Sequence, residues 1–356
     1  MANAVTTLTA TAPVRTCDCG GWTDTWFAGH GAVFHVAVNP GVRVVVRAGE
    51  APRDAPARLT VDAENYGDRY VVAPGTRPWV RHPLIEAAIE SVGVPARMTI
   101  DLRVRSAVPP GASTGTSAAV CVAIVGALRA LWGRRIDAAD VARAAHRVEV
   151  DLLGQQSGVQ DQYGAAFGGI NYIEMTDYPS AERREVRVPD GARAALEAQL
   201  LLVYLGRTHD SSAIHEEVIR GLERPGSAGR AALDDLRAAA AAAREAAEAG
   251  DLEALGAAMR ACTEGQRRLH PLLVSADAQR VIDAASARGA LGWKVNGAGG
   301  EGGSLAILCP PGGDRRAAII AAMSAWLPAC QVLPTTIAPR GLDVTIDHGP
   351  VAEPRA

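Results

Sequence analysis

Lysine is almost absent from this 356-residue chain: of 36 basic residues, 35 are Arg and one is Lys294. An excess of either charge is missing too, since 39 acidic residues leave a net of −3. That balance gives no electrostatic ground for nucleic acid or an anionic membrane as partner. Long apolar runs are lacking: the longest uncharged one starts at Ser117 and ends at Arg129, whereas a bilayer span needs about 20 residues. Met1 to Val14 has neither the basic start nor the apolar block of a secretory signal. Six cysteines, at 17, 19, 121, 262, 309 and 330, are too scattered for a disulfide framework. Cys17-x-Cys19 without a second cluster is weak as a zinc site. No internal repeat is visible. These absences predict a cytoplasmic protein with reduced thiols.

What is present suits a globular chain, 48% apolar and 21% charged. The length predicts about two domains at roughly 150 residues each. Ala32 to Val38 and Val42 to Val46 predict two strands around an Asn39-Pro40-Gly41 turn. Leu59 to Asp62, Arg69 to Val72 and Met98 to Val104 predict further strands, and Gly168 to Met175 a turn and a strand. Pro83 to Val92, Ala118 to Trp132 and Asp137 to Leu153 predict helices, the last capped by Asp137. Asp177 to Asp190, charged and holding Pro179 and Pro189, is the candidate boundary. Beyond it come a strand at Leu200 to Leu205 and helices at Ala228 to Ala249, Leu252 to Leu269, Asp277 to Ala287 and Asp314 to Trp326. Trp293 to Cys309 is a glycine loop and a strand; Gln331 to Leu333 and Leu342 to Ile346 close the chain as strands. The tail after His348 is expected to fray. Without regular βαβα alternation, the class is α+β.

Four segments carry chemistry. Val108 to Ser117 is a loop of two prolines, two glycines and small or hydroxyl residues directly before an uncharged helix. Such a loop lets backbone N–H groups approach an anion at a helix N-terminus; it also suits an ordinary capped loop. No Lys follows its second glycine, so it is not a Walker A loop. The second segment, Lys294 to Ser304, formally matches the dinucleotide fingerprint at Gly297-x-Gly299-x-x-Gly302, but the residues after it look like a strand where that motif needs a helix. In the third, Glu149 lies near a helix end and Asp161 follows a glycine turn at Gly158. Such a carboxylate serves as base, metal ligand or helix cap. The fourth, Arg15-Thr16-Cys17-Asp18-Cys19-Gly20-Gly21-Trp22-Thr23-Asp24, suits a polyol site or a generic turn.

Together, in this order, the segments resemble the GHMP kinase superfamily of small-molecule kinases (galactokinase, homoserine kinase, mevalonate kinase, phosphomevalonate kinase). Pro109-Pro110-Gly111-Ala112-Ser113-Thr114-Gly115-Thr116-Ser117-Ala118-Ala119 parallels its central Pro-x-x-x-Gly-Leu-Gly-Ser-Ser-Ala-Ala motif. Ser113, Thr114 and Thr116 replace Gly, Leu and Ser. Lys294 to Gly303 resembles the third motif, Lys-x-x-Gly-Ala-Gly-x-Gly-Gly. Gly20 to Asp24, Gly158 to Tyr163 and Phe167 to Asn171 look most like the heptose-7-phosphate and fucose kinase branch, whose members phosphorylate an anomeric hydroxyl. Gly21 and Trp22 stand where galactokinase has a Glu-His pair, which argues against galactose.

The resemblance implies a two-domain fold, with an N-terminal ribosomal-protein-S5-like domain (1–180) binding ATP and sugar and a C-terminal ferredoxin-like α/β sandwich (181–356). It implies ATP and Mg²⁺ as cofactors and a sugar or sugar phosphate as partner, in a monomer or homodimer. By resemblance, Pro110, Gly111, Ala112, Ser113, Thr114, Gly115, Thr116, Ser117 and Ala118 hold the nucleotide. Ser117 and Glu149 would hold Mg²⁺. Asp161 would accept the hydroxyl proton, with Arg15 beside it. Asp18, Gly20, Gly21, Trp22, Thr23, Asp24, Gln160, Gly297, Ala298 and Gly299 would meet the sugar. Arg147, Arg207 and His209 are candidates for a substrate phosphate. Alternatives are a kinase for another sugar (fucose, galactose or uronic acid type) or a small alcohol, a non-catalytic sugar sensor, and an oxidoreductase resting on the glycine fingerprint alone.

Overall fold

The computed structural model describes residues 5–51, 58–73, 75, 77–94, 97–207, 211–222 and 229–349. His209 and the tail from 350 onward lie outside them. In chain order the elements are β1 (Val5–Cys19), β2 (Gly31–Glu50), β3 (Leu59–Ala63), β4 (Asp68–Val72), α1 (Pro83–Val92), β5 (Met98–Ser106), α2 (Thr116–Leu131), α3 (Ala138–Arg147), α4 (Gln160–Phe167), β6 (Ile170–Asp177), β7 (Ser180–Glu185), α5 (Asp190–Gln199) and β8 (Leu200–Tyr204). Then follow α6 (Ser211–Leu222), α7 (Gly229–Ala249), α8 (Leu252–Leu269), α9 (Ala276–Ser286), β9 (Gly292–Val295), β10 (Ser304–Leu308), α10 (Gly313–Trp326), β11 (Gln331–Leu333), β12 (Thr336–Ile337) and β13 (Asp343–Gly349).

Among the described residues these strands form two sheets. The larger runs β13-β1-β2-β5-β3-β4, with β6 and β12 on the first part of β2 and β7 outside β6. Only β3 and β5 pair in parallel; the other pairs are antiparallel. The smaller sheet, β11-β8-β10-β9, is antiparallel throughout. β12 and β13, from the segment expected in the second domain, therefore sit in the first sheet.

β8 and β10 read as unbroken apolar runs because both their faces are covered. Leu201, Val203, Leu305 and Ile307 face a core with α9 and α10, while Leu200, Tyr204, Ala306 and Leu308 join the main core. Helix α2, uncharged as far as Arg129, is enclosed likewise, with Ala118 to Leu128 buried without a break. Asp137 caps α3 by accepting the Asp140 N–H at 3.0 Å.

Two expectations need correction. The Asn39-Pro40-Gly41 segment is not a reversal: β2 runs through it as one 20-residue strand. Gly41 is there for close approach, since a Cβ would stand 2.1 Å from the Ala12 carbonyl of β1. The expected boundary stretch also holds a strand, β7, folded back on β6.

Candidate active site

Arg15 and Asp18 lie three apart on β1, which in a regular strand would aim them at opposite faces. The pairing of β1 with β2 slips between Thr16 and Cys19, and Cys17 takes a left-handed φ of 57°. This irregularity turns both side chains to one side, with Arg15 Nη1 3.8 Å from Asp18 Oδ2. Arg15 then clasps Asp161 in the first turn of α4: Nε donates to Oδ1 at 2.7 Å and Nη2 to Oδ2 at 3.3 Å. Its Nη1 donates to the Ser113 carbonyl. Burial opposes the charge on Arg15, but Asp161, Asp18 and Asp24 outweigh it and raise its pKa.

The loop before α2 meets this pair face on. Gly115 has φ +71°, and a Cβ there would fall 2.9 Å from the Asp161 Cγ. The chain therefore needs glycine both for its backbone and for the approach of the carboxylate. Ser113 holds a left-handed φ of 56°, a conformation that glycine adopts without strain. No side chain caps the N-terminus of α2, which leaves first-turn N–H donors facing the cavity.

Asp24 reaches α4 from the other side and accepts the Gln160 N–H at 3.0 Å. Gly158 makes room, because a Cβ there would strike Asp24 Oδ2 at 2.2 Å. Burial pushes the Asp24 pKa up to about 6, with Asp161 adding to it. Glu149 stands on a π-helical turn (Val148–Leu152) directly after α3, a distortion frequent at functional sites. Burial raises its pKa to about 7, and hydrogen bonds from Gln162 and Ser117 offset only part of that.

The third glycine segment joins from between β9 and β10. Asn296 accepts the Cys17 N–H at 3.0 Å and donates to Ser304 Oγ at 3.0 Å; Ser304 donates to the Ala112 carbonyl. A strand therefore follows this glycine loop, and the dinucleotide reading loses the helix it requires.

One cavity of about 430 Å³ collects Arg15, Trp22, Asp24, Gly111 to Ser117, Glu149, Gln160, Asp161, Gly297 and Ala298. Other expected residues lie elsewhere. Asp18 is fully enclosed and bonded to Lys294 and the Gly297 N–H. Gly20 packs on the Ala32 carbonyl, Thr23 bonds to the Gly20 and Ala32 carbonyls, and Gly299 packs on the Leu273 carbonyl. Gly21 lies against Asp18, and Ala118 is fully buried. Pro110 lines a neighbouring cavity of about 530 Å³ that shares Gly111, Thr116 and Ser117 with the first. Arg147 lines a separate cavity with Arg129 and Arg134, and the exposed Arg207 stands 3.7 Å from Asp277. Neither reaches the main cavity. Thr25, Gln155, Gln156, Ser157, Gly158 and His215 also line it. Gln155-Gln156-Ser157, an aperiodic polar run before the Gly158 turn, carried a signal for this; His215 on α6 carried none.

The model for the GHMP kinases N terminal domain matches residues 83–169, and the one for the GHMP kinases C terminal matches residues 243–329. The chain carries both the N-terminal and the C-terminal domain of the GHMP kinases. A D-glycero-α-D-manno-heptose 7-phosphate kinase from Campylobacter jejuni is 25% identical over 207 residues, covering 58% of this chain and 60% of that protein. A mevalonate kinase from Methanothermobacter thermautotrophicus is 30% identical over 213 residues, covering 59% and 65%. The alignments thus span less than two thirds of these relatives. Among solved structures, a Lactococcus lactis galactokinase complexed with galactose superposes with a TM-score of 0.74 at 15% identity, covering 95% of each chain. A heptose 1-phosphate kinase from Bacteroides thetaiotaomicron gives 0.72 at 19%, covering 96% and 98%. These likenesses establish the two-domain GHMP kinase fold. Among the described residues no helix is long and apolar enough to cross a membrane.

Proposed function

We propose that this chain is an ATP-dependent kinase that moves the γ-phosphoryl group to the anomeric (C1) hydroxyl of a sugar or sugar phosphate, in the manner of a heptose 7-phosphate kinase. One observation carries this reading: the Arg15–Asp161 pair and the uncapped N-terminus of α2 face one cavity, separated by a glycine without a side chain. Asp161 orients the acceptor hydroxyl and takes its proton as the new P–O bond forms and the bond to the leaving oxygen breaks. Arg15 fixes that carboxylate and faces the charge of the transferring group. The loop and the first turn of α2 hold the phosphates. The adjoining cavity, walled by Tyr66, Leu84, Ile85 and Val104, suits the nucleotide base.

Glu149 fits a hard cation. It is 3% exposed, its pKa is raised, and among the described residues no cation pairs with it. With Ser117 it would hold Mg²⁺, whose chemistry is to neutralise phosphate charge. The polar wall of Trp22, Asp24 and Gln160 favours a polyhydroxylated acceptor over an isoprenoid alcohol. Coupled ADP detection over a panel of sugars and sugar phosphates tests the reading, with phosphorus NMR of the product. Turnover of mevalonate or homoserine in preference to every sugar would refute it.

A further inference from the structure

Lys294 is the chain's one lysine and is fully buried. Its ammonium donates to Asp18 Oδ1 at 3.2 Å and to the Val295 carbonyl. Asp18 is equally enclosed, and neither residue lines the cavity. Yet the second oxygen of Asp18 accepts the Gly297 N–H at 2.8 Å and faces Arg15 Nη1 at 3.8 Å. Gly297 in turn lies so close to Ser113 and Arg15 that a Cβ would meet them at 3.1 and 3.3 Å.

We propose that Lys294 and Asp18 are a positioning pair, which locks the third glycine loop and the Arg15–Asp161 pair in one fixed relation and so sets turnover. This rests on the kinase reading above. Stability alone does not call for such a pair, since two apolar residues of similar volume serve as well or better in many cores. Geometry does call for it. Both carboxylate oxygens of Asp18 are committed, Oδ1 to the ammonium and Oδ2 to the loop N–H and Arg15. An amide offers only one such acceptor. The identity of the cation follows too. Thirty-five basic positions carry Arg, but here the buried slot between Asp18 and the Val295 carbonyl takes a compact ammonium rather than a planar fork.

The test is the double variant Asp18→Asn/Lys294→Met, which removes both charges and leaves neither buried alone. The expected protein is folded by thermal melting, with kcat lowered about 10–10²-fold and the KM for ATP within about twofold of wild type. Amide exchange over residues 295–303 should accelerate while exchange in α9 and α10 stays unchanged. A folded double variant with wild-type kcat, or with wild-type exchange over that segment, overturns the proposal. Should it fail to fold, Asp18→Glu keeps the ion pair but shifts the oxygens. A kcat about tenfold lower supports positioning, and an unchanged one overturns it. If wild type releases no ADP with any acceptor, the kinase reading falls, and the exchange comparison still decides whether the pair positions the loop.

Discussion

Replacing Gly115 by Ala adds one methyl group at the point where the α2 loop meets the Asp161 carboxylate. Two costs follow from the geometry. The residue sits at φ +71°, and a left-handed conformation costs an L-residue roughly 1–2 kcal/mol. The new Cβ would lie 2.9 Å from the Asp161 Cγ, whereas ordinary contact begins near 3.4 Å. The carboxyl group must therefore retreat by about 0.5 Å, against an Arg15 hydrogen bond of 2.7 Å. Displacement of this kind near reacting atoms lowers kcat by about 10–10²-fold. The strain lowers the melting temperature by about 2–8 °C. Coupled ADP release and a thermal melt measure both. Gly133→Ala is the control: its φ is +63° and a Cβ there meets nothing within 4 Å. It should lose similar stability at unchanged kcat. Wild-type kcat in Gly115→Ala would refute the placement of Asp161 against this loop.

Three further outcomes are expected. Folded Glu149 keeps its proton to about pH 7, against 4.5 for the unfolded chain, so nucleotide-free stability falls as pH rises between those values. Glu149→Gln should flatten that fall, gain melting temperature at pH 8 and lose turnover; an unchanged slope would exonerate Glu149. Trp22→Phe removes a buried indole N–H that has no partner among the described residues, so the KM for the acceptor should rise about tenfold with that for ATP unchanged. An unchanged acceptor KM would take Trp22 out of recognition. Lys294→Arg, although charge-neutral, should destabilise by about 1–3 kcal/mol through overpacking, measured by urea unfolding; wild-type stability would show that the slot admits a guanidinium.

Elements with strong local signals were legible in the sequence. Helices α1, α2, α7 and α8 and strands β5 and β8 lie within a few residues of their expected positions, because periodicity, caps and apolar runs are local properties. β1 escaped notice because its Thr-Ala pattern is only weakly apolar; its partners β2 and β13 make it a strand. The short helix α4 hid behind its glycine turn, and its start is secured by Asp24, well over a hundred positions away. Motif residues could be named, but their division into wall and scaffold could not. Asp18 and Asp24 occupy one short motif, yet Lys294 draws the first inward while the second stays at the cavity. His215 reaches the site from α6, packed edge-on to Trp22 at 4.7 Å, through a tertiary contact that no spacing announces.

In the proposed function Asp161 acts on an acceptor hydroxyl beside a bound nucleotide. Asp161→Asn tests it most directly, assayed beside wild type with a sugar that wild type phosphorylates, together with nucleotide affinity. The expected variant keeps its ATP affinity and turns over about 10²–10⁴-fold more slowly. Turnover at the wild-type rate would contradict it.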